Sequence, residues 1–512
     1  MRISRRATVW AGAVTIGVLA RTVEIGRWPG LNGDEAWYGV NVQEFLSGGM
    51  PFLRTPPGNL LSPLHSGVLL MLSTVFDASV ALLRMPEILF GVLAVITAYP
   101  LLRAPLGKGT ALVAAVLFAL SPTAVAYARI GWDPSGTPLI TLLAIGAALH
   151  DRPLITLLVA ILALLVHPTN VFAFPVVAAA WAPHGIARYR GLSAARRRKV
   201  AQALAAGVLV AVPVGAWGVF QIAANPGTPL PSVGMAIERV LSPSLWLTHA
   251  WGATALVSGG TPLHYIAGPL PGLLEAIATA SVVIGFVACV AMPEHWRADH
   301  HAAWLIAGVA LSFAAFHIVA VPAAFHPGFE RYALFLLTPT LLIVAVGLDA
   351  LARKWPAAGT VATIATAAAM LAVTAGGYFQ PFVRQGGASD QTFRTGAVEP
   401  KLAALRFIEH DSENTRAVRI VADDWWLYWS LRYFAGINGR FYVEPGPSAL
   451  IPGGTHPPSV APPSVPDFER TYRVSFAAGG SSAMSSAVRF AATDPQGRPI
   501  VEVRLLADQN LP

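Results

Sequence analysis

The chain reads as a polytopic α-helical membrane protein closed by a small external α/β domain, and three observations predict it. The 512 residues are 54% hydrophobic and only 12% charged, with a mean hydropathy of +0.57. Apolar runs approaching the ~20 residues that cross a bilayer as a helix recur along the first three quarters of the sequence. From residue 378 onward those runs stop, and charges appear at the density of a soluble fold. The soluble two- or three-domain protein that length alone would allow is thereby excluded.

The net charge of +8 is no nucleic-acid signal. The basic residues lie in short loops between apolar runs, where the positive-inside rule puts them. The single cysteine, Cys289, falls inside an apolar run. It excludes an internal disulfide and a thiolate zinc site. The basic stretch 1–6 and the apolar run after it lack a small-residue cleavage site, so they read as a retained first helix.

Placing the arginine-rich loops on the cytoplasmic side gives one consistent threading. Residues 7–23 run outward, and 24–83 form a long first external loop. Within that loop the short apolar run 64–76 suits a helix lying in the interface. Residues 84–102 return inward to Arg103 and Lys108, and 109–127 run out to Arg129 and Asp133. Three short spans follow, 137–150, 153–166 and 171–183. The basic loop containing Arg196-Arg197-Arg198-Lys199 is the best inside anchor. Residues 200–222 go out, 223–270 form a second external loop, and 271–292 come in. Residues 302–321 go out, 333–350 come in and 357–377 go out. The total is about eleven spans.

The division is therefore 1–377 for the membrane part and 378–512 for the external domain. In the latter, Leu402, Leu405 and Ile408 set a helix over 399–410, and 417–422 is strand-like. Asp423 or Asp424 caps a helix through Trp425-Trp426-Leu427-Tyr428-Trp429. Further strands are expected at 440–443, 472–476 and 500–505, with a proline- and glycine-rich loop over 445–466.

On this threading the polar residues hardest to explain as surface gather on the outer side. Asp34 and Glu35, in Leu31-Asn32-Gly33-Asp34-Glu35-Ala36-Trp37-Tyr38, lie in the first loop with His65. Arg129 and Asp133 end the third span. His326, Glu330, Arg331 and Tyr332 precede the inward run at 333. Each has a plainer reading. The acidic pair could be solvated, Asp133 could cap the helix that Pro134 opens, Arg129 could snorkel to headgroups, and Glu330-Arg331 could pair locally. The tryptophan cluster of the tail could be a core or packing surface rather than a sugar platform. Their convergence at one face still points to a site there.

The order of these elements resembles the GT-C glycosyltransferases, in particular the branch of protein O-mannosyltransferases and lipid A aminoarabinose transferases. It comprises a basic N-terminus, one span, a loop with an Asp-Glu pair, Arg84-Met85-Pro86 opening a span, Ala-Arg-x-x-x-Asp at 128–133 and Glu-Arg-Tyr at 330–332. The resemblance covers most of residues 1–350. It implies transfer of a sugar, with inversion, from a polyprenyl-phosphate carrier to a protein, lipid or envelope glycan at the outer face of a bacterial inner membrane. Membrane lipid would be the surroundings, nucleic acid no partner, the N-terminus cytoplasmic and the C-terminal domain periplasmic.

It further implies Asp34 as general base, with Glu35 and Asp133 as the accompanying acids. Arg331, with Arg129 and His65, would hold the donor phosphate, and Trp37, Tyr38 and Tyr332 would contact substrate. Relatives often carry a basic residue before a Pro-Pro-Leu element. Here it follows the proline, in Ser62-Pro63-Leu64-His65. No cofactor is required by the sequence, although Asp34, Glu35 and Asp133 are oxygen donors of the type a hard divalent cation takes. The rival readings are a lipid or ion transporter with charges lining a pathway, and a non-catalytic membrane scaffold.

Overall fold

The computed structural model describes residues 5–50, 54–55, 61–199, 202, 233–292, 300–319, 325, 328–385, 393–436, 439–446, 449, 468–477, 488–494 and 496–506. The expected span 200–222, residue His326 and nearly all of the 445–466 loop lie outside them.

The protein is an integral membrane protein. Among the described residues six helices are long and apolar enough to cross a bilayer, within 80–102, 168–190, 272–291, 301–319, 330–354 and 356–384. Several of the remaining expected spans form shorter helices. The run 109–127 is two helices, Lys108–Leu120 and Pro122–Tyr127, because Ser121 ends the first and its side chain caps the second at Ala124, with Pro122 at the first turn. Helices Thr137–Leu149 and Pro153–Val166 have 13 and 14 residues. At about 1.5 Å per residue such helices are near 20 Å long, short of a ~30 Å hydrocarbon core. The figure of about eleven is thus not confirmed.

Four helices frame the N-terminal part: α1 (Arg5–Thr22), α2 (Gly33–Leu46), α3 (Pro63–Ser73) and α4 (Val80–Leu102). Within residues 24–83 the helix expected at 64–76 is present as α3, and α2 is a further helix that was not expected. Likewise the described part of the second stretch is helical, at Val233–Leu241, Pro243–Ser258 and Gly260–Ile266.

The C-terminal domain is a five-stranded mixed sheet. Its strands are β1 (Val418–Ala422), β2 (Phe441–Pro445), β3 (Arg470–Phe476), β4 (Val488–Thr493) and β5 (Pro499–Leu506). The order is β2-β1-β3-β5-β4. Strands β1, β2 and β3 are mutually parallel, while β5 is antiparallel to both β3 and β4. The two expected helices are present, as Glu399–Asp411 and Trp425–Ala435, the latter capped by Asp424. Strand β4 had no counterpart in the sequence reading.

Two apolar cores result. One lies among the membrane helices. The other joins Leu31, Trp37, Val40, Leu69 and Leu83 to Leu405, Trp429, Tyr433 and the sheet. The first external segment and the tail are thus packed as one body. Polar ties reinforce it: Lys401 Nζ donates to the Leu31 carbonyl at 2.5 Å and to the Phe393 carbonyl at 2.9 Å. Arg432 pairs with Glu44.

Candidate active site

Helix α2 starts where it does because Asn32 caps it. The Asn32 side chain accepts from the Asp34 amide at 2.7 Å, and Glu35 reaches back to the Asn32 amide at 3.0 Å, closing a capping box. The box turns the neighbouring carboxylates in different directions. Glu35 points inward and is fully buried. Its Oε1 accepts from Arg84 Nε at 3.0 Å and from the Gly131 amide at 2.6 Å, and its Oε2 accepts from Arg84 Nη2 at 3.1 Å. Arg84 in turn donates to the carbonyls of Ile25, Pro29 and Gly30. This clasp fixes the residues two places before Asp34 and two places before Asp133.

Asp34 faces the other way, with its side chain 46% exposed. Its Oδ2 stands 4.0 Å from Arg331 Nη1, and its Oδ1 accepts from the Trp425 indole Nε1–H at 3.2 Å. Tyr38, one turn along the same face of α2, donates its hydroxyl to Asp133. Asp133 opens the 3-10 turn Asp133–Gly136. Arg331 comes from a third segment, the 3-10 helix Glu330–Leu336. Its guanidinium lies over the Trp132 and Tyr332 rings at 5.0 and 5.2 Å and donates to the Tyr332 hydroxyl at 3.3 Å. Two acids, one arginine and an aromatic rim therefore meet from segments about 100 and 200 residues apart in the chain.

The protonation behaviour follows from this environment. Loss of solvation pushes the Asp34 carboxyl above the usual carboxylate range, opposed by Arg331 and the Trp425 hydrogen bond. Asp133 is pushed up to about 7, again chiefly by desolvation. Arg331 and the Tyr38 hydroxyl oppose that rise, and the Asp34 charge adds to it. Burial beside these acids holds the Tyr38 phenol well above its ordinary value, so it stays a donor.

Other expected site residues are placed elsewhere. Glu35 is not open to substrate, and all its geometry belongs to the clasp. Arg129, expected at the donor phosphate, is fully buried. It donates to the Ala20 and Trp28 carbonyls and to the Tyr378 hydroxyl, and packs on Phe379. His65 is buried against Glu87, with Nδ1 2.7 Å from its carboxylate, and burial lowers the imidazole to about 3. A neutral buried ring does not supply charge to a phosphate. Trp37 is 2% exposed and lies in the second core, so it does not reach the open face. Glu330 accepts from the Tyr127 hydroxyl at 3.0 Å instead of pairing with its neighbour. Among the described residues no group of three or more His, Cys, Asp or Glu side chains is gathered to hold a metal. The oxygen set of Asp34, Glu35 and Asp133 does not form, because Glu35 spends its oxygens on Arg84 and two amides.

The sequence reading missed the clasp and the contact of Trp425 with Asp34. The first had a local signal, the Asn32-x-x-Glu35 spacing of a capping box before an apolar run. The second had none, since 391 positions separate Trp425 from Asp34.

No family model matches the chain, and no curated protein matches it. Among solved structures it is similar to the oligosaccharyltransferase of Archaeoglobus fulgidus in its apo form, at 15% identity and a TM-score of 0.47. That match covers 86% of this chain and 64% of the archaeal one, so the chain spans under two thirds of that protein's length. It is also similar to ArnT from Cupriavidus metallidurans bound to undecaprenyl phosphate, at 13% identity and a TM-score of 0.47 over 99% of this chain and 98% of that one. The apo state of the same protein gives 12% identity and a TM-score of 0.38. Both proteins are GT-C superfamily members. At these TM-scores neither likeness carries weight for the activity.

Proposed function

We propose that this protein is an inverting GT-C-type glycosyltransferase, moving a monosaccharide from a polyprenyl-phosphate carrier to a hydroxyl of a protein, lipid or envelope glycan at the outer face of the membrane. The observation that supports it is the meeting of Asp34, Asp133 and Arg331 on one part-open polar site. Asp34 takes the acceptor's proton as the acceptor oxygen attacks the anomeric carbon. The bond from that carbon to the carrier phosphate breaks, and its electron pair leaves with the phosphate. One displacement at carbon inverts its configuration.

Arg331 is the cation beside this base. Its planar fork suits two phosphate oxygens, and its aromatic packing on Trp132 and Tyr332 holds the fork in place. Asp133, kept in position by Tyr38, supplies the second acid. The environment of Asp34 raises its carboxyl above the usual carboxylate range, which makes it a stronger proton acceptor than an ordinary carboxylate.

The test uses the purified full-length chain with undecaprenyl-phosphate-linked mannose or aminoarabinose and follows release of undecaprenyl phosphate. Asp34→Asn is expected to slow release by about 10²-fold or more, with the fold retained. Undiminished release in Asp34→Asn and Asp133→Asn, or none from the wild-type chain with either donor, would sink the reading.

A further inference from the structure

Among the described residues the tail domain reaches the proposed base through one polar contact, from Trp425. Trp425 is the first residue of its helix, held there by the Asp424 cap, whose side chain accepts from the Trp426 amide at 2.9 Å. The indole packs edge-on against Trp429 with ring centroids 5.5 Å apart, and Trp429 is 1% exposed in the shared core. Its other side rests on Gly33. A Cβ at Gly33 would stand 2.6 Å from the Trp425 ring, so only glycine allows this approach. The indole is therefore held on two sides, and its N–H is aimed at Asp34 Oδ1.

From this geometry we propose that Trp425 is a positioning residue for the transfer reaction, fixing the Asp34 carboxylate so that Oδ2, on the Arg331 side, is the oxygen that receives the acceptor's proton. This rests on the reading of Asp34 as base. A carboxylate free to rotate presents either oxygen. One tethered by a rigid indole N–H presents a chosen one, and positioning of that kind contributes to rate without contributing to donor binding. The tail then has a part in the chemistry although it places no residue on the reacting atoms.

Trp425→Phe keeps the ring and removes the donor. The expected result is a fall in kcat of about tenfold, from loss of one charge-assisted hydrogen bond, with KM for the undecaprenyl-linked donor unchanged. The acidic limb of the pH profile should move to higher pH, because that bond holds the Asp34 carboxyl down. Gly33→Ala, which pushes the indole away while leaving it intact, should reproduce both signs. In an Asp34→Asn background Trp425→Phe should cost nothing further. An unchanged kcat, a loss confined to KM, or the same loss in the Asp34→Asn background would each overturn the positioning role. Full turnover in Asp34→Asn alone would instead overturn the base, which keeps the two failures distinct.

Discussion

Glu35 and Asp34 are adjacent in the chain, yet they belong to two polar regions of opposite character. Around Glu35 every oxygen is engaged, the partner arginine is fully buried, and the pair is tied to backbone groups of two segments, residues 25–32 and Gly131. Around Asp34 the nearest cation stands 4.0 Å away, both side chains are part-exposed, and Asp133 carries a raised carboxyl close by. The closed region shows what a structural charge looks like, with its hydrogen bonds spent. The open one keeps donors and acceptors in reserve, and a site for chemistry needs that reserve. Arg129 and Arg331 repeat the contrast, since the first donates to two carbonyls and the Tyr378 hydroxyl, and the second, among the described residues, donates to the Tyr332 hydroxyl alone.

The comparison is broken most directly at the clasp. Arg84→Met leaves the Glu35 carboxylate buried and unpaired, so a stability loss of about 3–5 kcal/mol is expected. Thermal unfolding in detergent checks it, and an unchanged melting temperature would erase the distinction between the regions. Arg331→Lys should do the converse. It keeps the charge but loses the fork, so turnover should fall by about ten- to a hundredfold while the melting temperature holds.

Arg129→Lys sharpens the second contrast. A stability loss of about 1–2 kcal/mol from its broken carbonyl bonds should appear with donor KM unmoved, and a raised KM would return Arg129 to the phosphate. The smallest effect is expected at Tyr38→Phe. Removing the hydroxyl that steadies the Asp133 carboxylate raises that carboxyl further, moving the acidic limb of activity upward by up to about one pH unit. In the wild type the signs of activity and stability oppose each other. Activity that needs ionised Asp133 rises with pH through about 7. Asp133's contribution to stability runs the other way. Its carboxyl is raised in the folded state, so the folded form holds the proton more tightly, and stability declines from the unfolded carboxyl value up through about 7.

The nearness of Asp34, Asp133 and Arg331 was legible because the threading put all three on one side. The order of those residues in the chain then matched a recognisable pattern. The roles of Glu35, His65 and Arg129 were not, because sequence shows that a charge exists and not whether its hydrogen-bonding capacity is already used. Arg84, 49 positions from Glu35, and Glu87, 22 from His65, decide that question through contacts that no local pattern encodes. The helix expected over 64–76 is present as α3, whereas α2 and the helices after residue 233 were missed for a related reason. Helix α2 is polar where it faces Asp34 and apolar where it faces the tail, so its pattern follows two neighbours and not one. The elements of the tail that were read correctly, such as the Asp424-capped helix, carry their own local signal.

The second core has a consequence for how the chain is made. Its halves are separated by nearly four hundred residues, as the Trp425–Asp34 pair shows with a separation of 391 positions. At ordinary synthesis rates of about 5–20 residues per second, α2 waits roughly twenty to eighty seconds before its partner helix leaves the ribosome. During that interval Leu31, Trp37 and Val40 have no apolar surface from the tail to cover them. The fold therefore closes from its two ends last. A ribosome that stalls after the final span would release a protein whose proposed base lacks its indole partner and whose first external segment lacks half of its core.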